Sequence, residues 1–197
     1  MTLARLAAPL LCLALVCPTP ARADVVDDAA KLYQQGNASA ALERIDGYLA
    51  DHPTDARGRF LKAQLLASQG RADEAAALYG AISEEFPELA EPYNNLAVIY
   101  AQQGRYELAR NYLERAVQAY PEYSVALENL GDLYAKFAET SYRQAARYDP
   151  SNAALQTKIA TVTQLLPDKA PTPVFRAPPP PKPASGGIKK KGAGATR

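Results

Sequence analysis

The chain has 197 residues, and its 22 Lys and Arg residues nearly balance 21 Asp and Glu residues, which gives a net charge of +1. This length suits one domain and a tail. The chain has one histidine and two cysteines and no G-x-S-x-G, Walker A or G-x-G-x-x-G motif. It therefore predicts no enzyme, no cofactor and no metal site.

Residues 1–23 have the pattern of a secretory signal peptide. Arg5 precedes an apolar run from Leu6 to Val16, and an A-x-A cleavage pattern ends at Ala23. The run is too short to cross a bilayer as a helix, which takes about 20 residues. We therefore expect a secreted protein whose mature chain begins at Asp24.

Both cysteines, Cys12 and Cys17, fall within this leader. The mature chain then has none, so it can occupy an oxidising compartment without forming disulfides. The leader and the Ala- and Arg-rich composition favour a bacterial envelope protein in the periplasm. Two alternatives stay open. One is a lipoprotein anchored through Cys17, although Val16 is not the small residue usual before such a cysteine; the other is an uncleaved leader.

Two independent marks recur every 34 residues after the leader. The glycines are Gly36, Gly70 and Gly104, and the prolines are Pro53, Pro87 and Pro121. Glycine adopts the left-handed turn after a helix at little cost, and proline ends a helix. A 34-residue period with both marks is typical of the tetratricopeptide repeat, a helix-turn-helix unit.

The third repeat shows the pattern of large and small residues most clearly. Its apolar positions are Tyr93, Leu96, Ala97 and Tyr100 in the first helix and Ala109, Leu113 and Ala116 in the second. This order closely resembles the tetratricopeptide repeat (TPR) family. The resemblance implies an all-α fold, a TPR α-solenoid of about 3.5 helix-turn-helix repeats with a C-terminal capping helix and a disordered tail. The predicted units are repeats over 24–55, 56–89, 90–123 and a shortened 124–150, a capping helix over 151–166, and a tail over 167–197.

The first and second repeats depart from the family pattern. Asp28 occupies an inward position, so we expect the first helix to be the weakest. Arg59 and Lys62 stand where apolar residues are usual. We expect neighbouring apolar residues to be buried in their place, namely Phe60, Leu61 and Leu65.

The fourth repeat lacks its turn. Pro150 comes 29 residues after Pro121 instead of 34, and no glycine-containing turn follows the first helix. We therefore expect one long helix from Ser124 to Tyr148, rich in helix-forming residues. A last helix should follow, with Ser151 as its cap.

The resemblance implies that first helices line an inner, concave surface and that Asn95 and Asn129 match a position that holds the backbone of a bound peptide. The alternative is that these residues are ordinary framework. The predicted partner-binding set is Arg57, Phe60, Gln64, Asn94, Asn95, Val98, Gln102, Glu128, Asn129 and Asp132. This lining mixes apolar, polar and charged side chains. It departs from the lining of the carboxylate-clamp TPRs, which need several Lys and Arg residues. It favours an extended segment or a helix with both apolar and polar groups.

The tail over 167–197 contains eight prolines before residue 184 and carries seven cations against one acid. We expect extended polyproline II structure and then a flexible end, without a core of its own. The cations at its end are Lys182, Lys189, Lys190, Lys191 and Arg197. Three roles stay open: a terminus that aids solubility, a tether to anionic polymers, lipids or acidic proteins, and a segment that folds back onto the acidic repeats.

These features favour a non-catalytic adaptor in the bacterial envelope that holds a segment of a protein partner in its concave groove. The alternative is a structural envelope component tethered by its tail to anionic polymers or lipids. Nucleic acid is disfavoured as a partner because of the predicted compartment. The sequence leaves the partner and the oligomeric state open.

Overall fold

The structure is a computed structural model that describes residues 25–166, and within this range the chain forms eight α-helices and no strand. The helices are α1 (Val25–Gln34), α2 (Ala38–Asp51), α3 (Ala56–Ser68), α4 (Ala72–Glu85), α5 (Ala90–Gln102), α6 (Tyr106–Ala119), α7 (Ser124–Tyr148) and α8 (Ala153–Leu165). Each helix packs against the next, and α1 also contacts α3. The predicted all-α solenoid is confirmed. The expected leader and tail lie outside the described residues.

The three periodic glycines close the first helices of the first three repeats. Gly36, Gly70 and Gly104 have φ angles of +82°, +77° and +73°. The next residue in each case donates its backbone N–H to a carbonyl five residues earlier, as Arg71 does to Leu66 at 2.9 Å. This is the hydrogen bond of a Schellman ending. A β carbon at each glycine would meet no atom within 4 Å, so the left-handed backbone, and not crowding, favours glycine there.

The core forms three consecutive hydrophobic clusters, each built by helices that follow one another in the chain. Small residues of the repeat pattern lie within this core, between packed helices. Ala97, Ala109 and Ala116 are completely buried, as the repeat pattern predicts. Adjacent clusters share half-buried side chains such as Tyr100, so the core is continuous along the solenoid.

Charged residues at inward positions in the first two repeats are held by ion pairs at the edge of the core. Asp28 is 3.0 Å from Arg44, Lys62 Nζ is 2.6 Å from Asp46, and Arg59 pairs with Glu85. The expected replacements, Phe60, Leu61 and Leu65, are buried. Because each ion pair stays partly exposed, apolar burial and not the ion pairs supplies most of the stability here.

Helix α7 is the single long helix that the missing turn predicts. Its 25 residues extend about 37 Å. Glu139 lies in its second half and is mostly buried, where it accepts hydrogen bonds from Lys136 at 2.8 Å and from Arg143 at 2.9 Å. These bonds, with that from Lys136 the larger effect, lower the pKa of the Glu139 carboxyl. The pairing keeps a carboxylate satisfied where a regular repeat would turn.

Helix α8 packs against α7 and ends the described solenoid. Its cap is Asn152, whose side chain accepts from the backbone N–H of Leu155 at 3.2 Å. The expectation that Ser151 is the cap is therefore wrong, because the Ser151 hydroxyl instead donates to Asp149 at 3.1 Å. Leu155, Ile159 and Val162 of α8 are half-buried, Leu165 is exposed, and no residue of the helix is fully buried, so this helix shields one face of α7 without forming a new core.

Candidate functional site

The structure places a pocket of about 220 Å³ among the first helices of the first three repeats. Its lining comes from α1, α3 and α5, with one residue from α4: Tyr33, Gln64, Ala67, Ser68, Tyr79, Asn95, Val98, Ile99 and Gln102. Four of the ten predicted site residues therefore lie together: Gln64, Asn95, Val98 and Gln102. We call this set of nine residues the concave pocket.

Asn95 is the most informative residue of the concave pocket. Its side chain is 3% exposed, and among the described residues Nδ2 makes no hydrogen bond of good geometry, although the side chain interacts weakly with the Tyr79 hydroxyl. Its Oδ1 accepts only a long bond of 3.5 Å from Asn94. A buried donor without a partner costs about 1–3 kcal/mol. The Asn95 amide is therefore a donor that a carbonyl oxygen in the pocket would satisfy.

Tyr79 provides a neutral wall beside this amide. Burial raises the pKa of the Tyr79 hydroxyl, and a weak hydrogen bond with the Asn95 side chain offsets this only in part. The phenol therefore stays protonated at neutral pH. Its ring packs edge-on against Phe60, with centroids 5.4 Å apart, which fixes the position of the wall.

No charged side chain lines the concave pocket. The nearest predicted cation, Arg57, lies outside it and is paired with Asp27 at 2.6 Å. A pocket of about 220 Å³ is smaller than the 300–1,000 Å³ of typical small-molecule sites. Its size and neutrality suit one uncharged side chain with its adjoining backbone.

Three further residues expected on the concave surface are buried and do not line the concave pocket. Phe60 is 2% exposed and belongs to the core around Tyr79. Asn94 and Asn129 are 0% and 1% exposed, and Asn129 Nδ2 donates to Asn94 Oδ1 at 2.7 Å. This bond joins α5 to α7, so the pair fastens neighbouring repeats and does not present amides on the surface.

Two predicted acids lie on α7, away from the concave pocket. Glu128 is exposed and Asp132 is half-buried. Desolvation, and then the charge of Glu128, raise the pKa of the Asp132 carboxyl. Among the ion pairs of residues 25–166 none reaches either acid; those of α7 involve Glu139. The predicted basic residues Lys182, Lys189, Lys190, Lys191 and Arg197 lie outside the described residues.

Sequence reasoning missed five residues of the concave pocket: Tyr33, Ala67, Ser68, Tyr79 and Ile99. Ser68 stands 34 residues before Gln102, so the same register that selects Gln102 also selects Ser68. Tyr79 lies on a second helix and reaches the pocket only because its ring is long. No sequence signal separates it from the other tyrosines that pack between helices.

A second concavity, of about 320 Å³, lies where the α4–α5 connection meets α6. The Arg115 guanidinium lies over the Tyr93 ring, 4.4 Å from its centroid, and donates to its hydroxyl at 3.1 Å. The two side chains therefore interact with each other through both a cation–π contact and a hydrogen bond. This concavity serves below as a comparison surface.

The part of the chain from 25 to 166 contains no group of three His, Cys, Asp or Glu residues placed to hold a metal ion. A separate property concerns membranes. Within the same residues, no helix combines the length and the apolar character that crossing a membrane requires.

Comparison with known families identifies the repeats. Two tetratricopeptide repeat models match, one over residues 29–90 and one over residues 90–123. Residues 29–123 therefore match the tetratricopeptide repeat, and TPR domains generally act as non-catalytic scaffolds for protein–protein interaction. The matches end before α7, where the chain departs from the regular repeat.

Solved structures show the same fold. YrrB, a TPR protein with an unusual peptide-binding site, is 26% identical with a TM-score of 0.50, over 52% of this chain and 53% of YrrB. The chain thus spans about half of YrrB. TTC0263, a thermophilic TPR protein from Thermus thermophilus, is 20% identical (TM-score 0.54; 72% of this chain, 80% of that one). MamA is 16% identical (TM-score 0.53; 71% and 79%). No curated protein is significantly similar to this chain.

Proposed function

We propose that this protein is an adaptor of the bacterial envelope that holds an uncharged segment of a partner protein in the concave pocket. The observation that carries the proposal is the buried Asn95 Nδ2 donor, which lines a neutral pocket and makes no hydrogen bond of good geometry with the described residues. A backbone carbonyl of an extended segment is the group that such a donor binds best. The peptide-binding site of YrrB supports this class of ligand.

The walls of the pocket define what it would select. Val98 and Ile99 offer apolar surface, and Gln64 and Gln102 are amide-bearing residues of the lining. A partner residue of moderate size, aliphatic or amide-bearing, fits about 220 Å³. Because no charge lines the pocket, binding should depend weakly on salt.

Preorganisation supplies the mechanism. The pocket lies on helices whose endings and alanine contacts are already fixed, so the ordering cost of binding falls on the partner segment. In this proposal the fold positions a partner segment and does not catalyse a reaction. The leader pattern supports placement in the periplasm, where a protein without mature cysteines would function without disulfides.

A pair of neighbouring substitutions tests the pocket. Ser68 lies at the rim of the pocket and is exposed, so Ser68→Arg should block the entrance without burying a charge. Gln69 is the next residue, is equally exposed and does not line the pocket, so Gln69→Arg is the matched control. We expect affinity capture of a partner from envelope extract to survive Gln69→Arg and to be lost with Ser68→Arg.

Truncation after Leu166 separates this function from the tether. Equal capture by the full and truncated chains places the partner on the repeats. Capture that needs residues 167–197, and that ignores Ser68→Arg, would replace the adaptor with a structural component tethered by its basic tail.

A further inference from the structure

The first half of α7 carries an apolar face that no described helix covers. Leu127 and Tyr134 are 46% and 49% exposed and lie seven residues apart, on one side of the helix. Gly131 lies between them, and a β carbon there would meet nothing within 4 Å. The result is a shallow groove with an apolar rim, which we call the α7 groove.

The third repeat shows what normally covers this face. The residues 34 positions earlier are Tyr93, Ala97 and Tyr100; the first two are buried and the third is half-buried. They pack with apolar residues of α6, the second helix of that repeat. The fourth repeat has no second helix at the same place, because α7 continues without a turn. In a regular repeat, a second helix would pack against the α7 groove.

Helix α8 runs back along α7 toward the α7 groove. A short connection over 149–152 joins α7 to α8, and Lys158 Nζ lies 5.4 Å from the Tyr142 ring centroid. Positions equally far from the connection therefore lie side by side, so Leu165 is about level with Lys136, two residues beyond Tyr134. Helix α8 therefore ends next to the Tyr134 end of the α7 groove.

The length and composition of the first tail residues fit the groove. From the level of Lys136 to that of Ser124 the helix rises about 18 Å, which about six residues of polyproline II chain span. Pro167, Pro171 and Pro173 fall within or next to this stretch, and Phe175 follows. Proline rings against an exposed tyrosine are a recurrent mode of recognition for such chains.

The charges of the α7 groove and of the adjoining tail are also complementary. Glu128 and Asp132 directly follow Leu127 and Gly131 in the sequence and lie along one side of the α7 groove, and no ion pair among residues 25–166 reaches either of them. Lys169 is the cation of the adjoining tail segment and Arg176 comes shortly after it, with Asp168 as the single acid. Desolvation, and then the charge of Glu128, raise the pKa of the Asp132 carboxyl, so a cation beside these acids would be favourable.

We propose that residues 167–172 of this chain dock in the α7 groove and take the place of the absent second helix of the fourth repeat. The docked segment covers Leu127 and Tyr134 at the C-terminal end of the solenoid. Only the remaining residues, 173–197 with most of the cations, then extend from the domain. This inference does not depend on the concave pocket.

Tryptophan fluorescence tests the docking, because the chain contains no tryptophan. Ala170→Trp in the chain from Asp24 to Arg197 reports burial at the expected contact, about level with Leu127. We expect emission at shorter wavelength and weaker acrylamide quenching than from the same tryptophan in a free peptide of residues 167–197. Identical emission and quenching in chain and peptide would overturn the proposal.

A groove-filling substitution locates the contact. Gly131→Lys fills the α7 groove and repels the tail, yet it is sterically open and favours the helix. Gly47→Lys is the control, since Gly47 is also exposed, helical and open. We expect Gly131→Lys to abolish the wavelength shift and Gly47→Lys to retain it. A shift that persists with Gly131→Lys places the tail elsewhere, and a shift lost on dilution assigns the groove to a second copy; either contradicts the proposal.

Discussion

The bond between Asn94 and Asn129 should determine how firmly α7 is attached to the repeats before it. Asn129→Ala removes the donor of a 2.7 Å bond and leaves the Asn94 oxygen, which is completely buried, without it. A buried polar atom deprived of its partner costs about 1–3 kcal/mol. We therefore expect the free energy of unfolding to fall by about 2 kcal/mol, and Tm by about 4–8 °C for a domain of this size.

The assay is thermal and urea unfolding followed by circular dichroism, together with hydrogen exchange. Asn111→Ala on the exposed side of α6 is the control, and it should change stability by less than about 0.5 kcal/mol. Because a solenoid is stabilised by contacts between neighbours, exchange should rise mainly in α7 and α8. Equal stability of the two variants would refute the assignment of this bond as a fastening between repeats.

The remaining predictions concern turns and charge. Gly104→Ala, at φ +73°, should lower the free energy of unfolding by about 1–2 kcal/mol, whereas Gly131→Ala inside α7 should raise it by about 0.5–1 kcal/mol; urea midpoints that move the same way would contradict this. Bonds from Lys136 and Arg143 lower the pKa of Glu139, so the stability they contribute is complete above the unfolded value of about 4.3 and is lost as pH falls through the lower folded value. The advantage over Glu139→Gln should therefore shrink below about pH 4, and a difference independent of pH would exclude this origin.

Much of the fold could be predicted because its determinants are local. The left-handed glycines and the helix-ending prolines mark each unit without reference to distant contacts. The short interval from Pro121 to Pro150 leaves no room for a turn, and it correctly predicts the continuous α7. The cap of α8 was missed because Ser151 and Asn152 are both good caps, and only the backbone geometry decides between them.

The site was harder to predict because a periodic pattern gives the direction of a side chain but not its depth. Helix α5 lies inside the solenoid, with neighbours on several sides, so residues 92–99 are all buried. Asn94 and Asn95 are adjacent in the sequence, yet one fastens α7 and the other lines the concave pocket. That distinction depends on which neighbouring helix each amide meets, which the sequence of one repeat does not encode.

Site-specific photo-crosslinking tests the central claim, that the concave pocket holds the partner. A photoreactive residue at Gln102, on the exposed rim of the pocket, is compared with one at Gln118, exposed beside the second concavity. In cells of the source organism, Gln102 should crosslink to one segment of a partner protein, and Ser68→Arg should abolish that product. Crosslinking from Gln118 and not from Gln102 would contradict the account and place the binding surface around α6.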